Sequence, residues 1–265
     1  MRRLHWISLL AIASLLIVTP PAAQAGEEEG SVHAKYMVVH IDEVEPSMQT
    51  EFEENNKKWV EAFTGAELGP EFSWYGSNSG FTYVWVSPIK DYAFLDGEDA
   101  RFKAMGAALG EEKMAELMKG SEAIKSHHTE IAKFMPELTY EPADPASKTP
   151  GMYRLTSHAV KPSMTEQFET LVKEVVAAFK KAESPVGFTG YQTQFGTGSY
   201  VFTTMADDAQ QLSGFPGTGE VLAKALGEER AGEMYQEWRN CITDVETEEF
   251  EIRRDLSFAP METAD

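Results

Sequence analysis

The sequence predicts an α+β protein built from two tandem βαββαβ units. Three observations carry that prediction: a register of identities between the two halves, a polar Pro-rich stretch between them, and the same order of strand-like and helix-like segments in each half. Residues 44–63 and 160–179 are identical at ten of 20 positions with a constant offset of 116, including Pro46/Pro162, Met48/Met164, Phe52/Phe168 and Phe63/Phe179. The register then continues with single-residue slips. Tyr75 corresponds to Tyr191, Tyr83 to Tyr200, Leu109-Gly110-Glu111-Glu112 to Leu226-Gly227-Glu228-Glu229, and Leu138 to Leu256.

The elements follow in order. Residues 1–25 read as a signal peptide. Arg2 and Arg3 form the positive n-region, Trp6 to Val18 the apolar run, and Ala23-Gln24-Ala25 the small-x-small site that signal peptidase accepts. That run has 13 residues, short of the roughly 20 that span a bilayer. The expectation is a protein that starts at Gly26, soluble in the periplasm or secreted, with no membrane insertion after cleavage. Unit 1 occupies 32–141, a linker 142–150 and unit 2 151–259. Each unit opens with a strand (36–44; 153–160). A segment starting Pro-Ser-Met follows, where proline suits the first helical turn, and its aromatic and aliphatic residues recur at helical spacing. Two hairpin strands come next (72–77 and 81–86; 188–193 and 200–203). A long helical stretch (101–126; 219–240) and a last strand (129–135; 245–256) complete a ferredoxin-like order.

The net charge is −20, and the leader carries two of the positive charges and no acid. A surface this acidic repels phosphate backbones and anionic lipid heads, so no nucleic-acid partner is expected. The single cysteine, Cys241, forbids an internal disulfide and reads as a small buried apolar residue at a helix end.

A strand followed by a helix in which Pro46 or Pro162 precedes Phe52 or Phe168 by six residues resembles the dimeric α+β barrel superfamily. That group includes the NIPSNAP proteins, antibiotic-biosynthesis monooxygenases, EthD-like proteins and chlorite dismutase-like haem proteins. The resemblance covers both units and implies that they pack sheet to sheet, here within one chain as an intramolecular α+β barrel. It also implies a site between the two sheets.

Strand alternation then assigns faces. Met37, Val39 and Ile41, with Tyr153, Leu155 and Ser157, form the face expected to lie under the helices. Val38, His40 and Asp42, with Arg154, Thr156 and His158, form the face expected to point into the barrel. The candidate ligand-binding residues are therefore His40, Asp42, Arg154 and His158, joined by the aromatics Tyr83, Trp85, Tyr200 and Phe202. The candidate catalytic residues are His40 and His158. The bland alternatives are a solvated sheet or a mutually satisfied polar network.

No zinc site is expected, because the adjacent His127 and His128 point to opposite faces and lie in no metal-ligand frame. No cofactor is predicted. Haem is the alternative, with His40, His158 or a junction histidine as axial ligand, although no C-x-x-C-H motif is present. The glycine-rich Gly214 to Gly219 lacks the Lys-Ser/Thr ending of a phosphate loop. Three function classes follow. They are an exported module binding a small, partly aromatic ligand, a cofactor-independent monooxygenase-like or haem-dependent enzyme, and a non-catalytic structural or oligomerising protein. Monomer and homodimer both remain open.

Overall fold

The computed structural model describes residues 33–194 and 198–260, so the leader lies outside the described residues. Unit 1 comprises β1 (Tyr36–Val44), α1 (Gln49–Gly65), β2 (Trp74–Ser79), β3 (Thr82–Ile89), α2 (Ala93–Asp96), α3 (Glu98–Leu109), α4 (Glu111–Leu117) and β4 (Ile124–Phe134). Unit 2 comprises β5 (Met152–Val160), α5 (Thr165–Lys181), β6 (Thr189–Thr193), β7 (Tyr200–Ala206), α6 (Ala209–Gly214), α7 (Thr218–Leu226), α8 (Glu228–Cys241) and β8 (Ile242–Phe258). Each expected long helical stretch is cut by a glycine. Gly110 (φ 82°) and Gly227 (φ 90°) take a left-handed backbone that ends one helix and starts the next.

The strands close into one antiparallel barrel in the order β1-β3-β2-β8-β5-β7-β6-β4. Each unit's last strand stays paired with its own first strand and also pairs, along its other edge, with the other unit's second strand. Ile252 of β8 stands opposite Ser77 of β2, and Phe134 of β4 opposite Tyr191 of β6. Closure abolishes the open edges on which unpaired N–H and C=O groups would otherwise lie.

Packed apolar side chains occupy the barrel interior. Met37, Val39 and Ile41 meet Tyr153, Leu155, Phe250 and Ile252 in one buried cluster drawn from both units. An eight-stranded barrel is just wide enough for side chains to fill. The face expected under the helices is therefore the barrel interior, and the face expected inside is the one beneath the helices. The inversion has a plain cause: both faces of these strands are covered, so alternation alone does not say which cover is which. Under the helices, Phe52 of α1 packs on Tyr83 and Trp85, and Phe168 of α5 on Tyr200 and Val160. Burying either phenylalanine contributes about 2–3 kcal/mol. Cys241 is fully buried at the end of α8, as expected. Among the described residues no helix is long and apolar enough to cross a membrane.

Candidate functional site

The outer face of β1, β3 and β4 carries a polar chain that begins at Asp42. That carboxylate is 5 % exposed. Its Oδ2 accepts from Trp85 Nε1 at 2.8 Å and its Oδ1 from His127 Nδ1 at 2.6 Å. Cross-strand register explains the meeting, since Asp42 stands opposite both Tyr83 and His127. His127 Nε2 lies 3.1 Å from Thr129 Oγ1, which in turn lies 2.8 Å from His40 Nδ1. The two imidazoles stack at 5.5 Å.

One tautomer assignment, with His127 neutral, gives the chain a direction. With Nδ1–H given to Asp42, neutral His127 presents a lone pair at Nε2. Thr129 then donates its hydroxyl proton to His127 and accepts from His40 Nδ1–H. His40 is left with an Nε2 lone pair, the arrangement of a general base oriented through its other nitrogen. Burial holds His40 below the ordinary histidine range. A proton on His127 would lower it further, while the charges of Asp42 and Glu98 pull it back.

His40 and His127 line a cleft of about 850 Å³ between this sheet face and the α2–α3 segment. Phe94, Leu95, Phe102 and Met105 form its helical wall; Val38 and Ile131 contribute from the sheet, and Arg101 and Glu98 supply charge. The cleft exists because α3 buries none of its residues, and Phe102 is 54 % exposed. Its counterpart in unit 2 is docked, with Val221, Leu222 and Ala225 of α7 buried.

The remaining sequence candidates lie elsewhere. His158 occupies the position of Asp42 in unit 2, on the far side of the barrel from His40. Rings of Phe168, Phe202 and Trp238 enclose it at 5.4–5.7 Å, and its Nδ1 has no hydrogen-bond partner. Burial pushes its pKa down to about 4. Arg154 is paired with Glu249 at 2.7 Å. Tyr83 and Tyr200 each donate to a glutamate, Glu53 and Glu169, at 2.5 Å. Burial raises both phenols, Tyr83 to about 12. These matched pairs tie α1 and α5 to the sheet in the same way in each unit. The expected single cavity holding His40, Asp42, Arg154 and His158 is therefore corrected. His40, Asp42 and Trp85 form one network, and Arg154, His158, Tyr200 and Phe202 belong to the opposite half.

Sequence reasoning missed His127 and Thr129. Placing the start of the last strand at residue 129 left His127 in a junction, whereas β4 begins at Ile124. The signal was available, because His127, Thr129 and Ile131 alternate on one face. His128 and His127 do point to opposite faces, His128 bonding Glu130 at 2.6 Å on the interior side.

Among the described residues no group of three or more His, Cys, Asp or Glu side chains converges as a metal site would. The cleft suits haem poorly. His40 would be its candidate ligand, but the lining sets Glu71, Glu98 and Glu130 against Arg101 as the one Lys or Arg, a poor match for the two carboxylates that a haem carries. His158 is closed in by its aromatic rings.

An eight-stranded antiparallel barrel of two ferredoxin-like units is the fold of the dimeric α+β barrel proteins. Solved structures agree. A Lactobacillus acidophilus protein provisionally named as a monooxygenase matches with a TM-score of 0.50 at 10% identity, over 86% of this chain and 97% of its own. A Fusobacterium nucleatum protein named in the same way matches with a TM-score of 0.51 at 12% identity, over 83% and 92%. An anthrone oxidase-like protein matches with a TM-score of 0.50 at 11% identity, over 82% and 90%. At such identities the likeness is one of fold. No sequence family and no curated protein matches the chain.

Proposed function

We propose that the unit 1 cleft binds a small, planar, partly aromatic molecule and that His40 removes a proton from it, in a cofactor-independent oxidation by dioxygen. The observation that carries this reading is the hydrogen-bonded chain Asp42–His127–Thr129–His40, which ends at an imidazole lining a largely apolar cleft. Phe94, Phe102 and Met105 supply the flat apolar wall. The names of the fold neighbours, two monooxygenases and an anthrone oxidase-like protein, fit the same chemistry. An activated CH₂ flanked by aromatic rings and conjugated to a carbonyl loses a proton to His40. Its carbanion then reduces dioxygen, so that CH₂ and O₂ become C=O and H₂O.

The test is oxygen uptake by the purified protein with anthrone, alongside ligand retention by native mass spectrometry. Uptake that falls on His40→Gln, with binding retained, supports the reading. Retention without uptake favours a binding module, and neither retention nor uptake overturns both. We further propose that the mature chain acts outside the cytoplasm after loss of residues 1–25, which N-terminal sequencing at Gly26 would test.

A further inference from the structure

We infer that Arg101 is the anion-recognising residue of this cleft and that the substrate is an enol or phenol whose ionised oxygen it receives. The inference rests on the reading of the cleft given above and names its substrate class. Arg101 is the one Lys or Arg among the cleft-lining residues. Its guanidinium lies over the Phe94 ring, 3.5 Å from the centroid, and donates one hydrogen bond to the Phe94 carbonyl oxygen at 2.6 Å. Stacking and that bond fix the plane of the fork.

Among the described residues no carboxylate lies within ion-pairing distance of Arg101, nor of Arg239 and Arg254, whereas Arg154, Arg230 and Arg253 each hold at least one; of the three unpaired arginines only Arg101 lines the cleft. Acceptors are not scarce in a chain with 43 acidic and 23 basic side chains. A guanidinium carries five N–H donors, so most of its capacity is open to a ligand oxygen. Arg101 and His40 line the same cleft, one from α3 and the other from β1.

The chemistry is a proton transfer. His40 Nε2 takes the proton from an acidic O–H, or from a C–H beside a carbonyl. The electron pair stays on the substrate and its charge gathers on oxygen, where Arg101 meets it as an oxyanion-stabilising cation. No electron leaves the substrate in this step. A neutral hydrocarbon of the same shape offers neither partner anything.

Alizarin, a planar dihydroxyanthraquinone whose colour reports its ionisation, is the probe. Bound to the wild-type protein it should ionise about one pH unit lower than free, a tenfold preference for the anion. Arg101→Gln should still bind alizarin but return its titration to the free value. Arg101→Met, equally compatible with a helix, should reproduce that loss, and circular dichroism would confirm the fold of both. Binding with an unchanged titration in both variants overturns the role of Arg101 alone. Failure of the wild-type protein to bind alizarin overturns the inference together with the reading of the cleft on which it rests.

Discussion

Asp42 and His158 occupy the same place in the two units, 116 residues apart in the chain, and they do opposite things. Asp42 is a buried carboxylate that spends both oxygens on Trp85 and His127. His158 is an enclosed imidazole with an unpartnered nitrogen among aromatic rings. The neighbours have diverged with them: His40 corresponds to Thr156, and His127 to Val245. Thr156 and Thr247 keep a weak 3.3 Å contact where His40 and Thr129 hold a firm one. The polar relay is a property of one half only.

Thr129 joins the two histidines, so Thr129→Val should cut the chain while leaving the shape of the cleft in place. We expect base-dependent turnover to fall about 10²-fold, within the range of general-base contributions. Asp42→Asn should act through the same chain, so the double variant should lose less than the two single losses combined. Equal, additive losses measured by steady-state kinetics would show that the residues act separately.

His158 should mark the acid limb of stability. Its folded pKa lies near 4 against an ordinary 6.5, so the unfolded chain binds the extra proton. Its penalty is absent above about pH 6.5 and grows as the pH falls toward 4. We expect His158→Phe to be more acid-resistant than wild type by on the order of 2 kcal/mol at the bottom of that window. Urea titrations at several pH values would read this, and a constant difference across the window would refute it.

Much of this molecule was legible in its sequence, and the parts that were not have physical causes. The repeat register and the period-two segments gave the element order, because each unit must bury its strands against its own helices. The assignment of His40 and Asp42 to a polar side and of Val39 and Ile41 to an apolar side was also correct. Which side is the barrel interior was not legible. Alternation identifies two faces, but in a closed barrel with helices outside, both are buried, and Val39 would suit either. Nor does the sequence reveal that α3 stands off the sheet while α7 docks. That difference rests on Phe102 and Met105 against Val221 and Leu222, all of them apolar.

Glu248 lies on the interior side, next to Phe250, and one of its carboxyl oxygens is buried without a partner. Burial raises its pKa above the ordinary 4.5, partly offset by a bond from Ser79. For such a group the folded state disfavours the charged form, so stability is fullest at acid pH and falls as the pH rises through the folded pKa. We expect Glu248→Gln to stabilise the protein by about 1 kcal/mol at neutral pH and to lose that advantage below about pH 4. Calorimetry at both pH values would check it; destabilisation at neutral pH would show that the charge is needed.

Gly190 tests the seam between the units. A side chain there would sit 2.7 Å from the Leu138 carbonyl oxygen and 3.1 Å from the Phe202 ring. The nearer atom is backbone and has little room to retreat. We expect Gly190→Ala to cost about 1–3 kcal/mol, read as a lower midpoint in urea.

The pairing of each last strand across the seam has a consequence for how such a protein diversifies. In a barrel made by two copies of one chain, each substitution is written twice, and a change that loosened one helix for chemistry would loosen both. Here the partners are tethered, and β4 still pairs with β6 and β8 with β2 whatever each half does on its outer face. One half is then free to keep Trp238 and α7 packed tight, while the other gives up that packing to open a working cleft. The covalent joining of two look-alike halves acts as insurance, with one copy underwriting the experiment carried by the other.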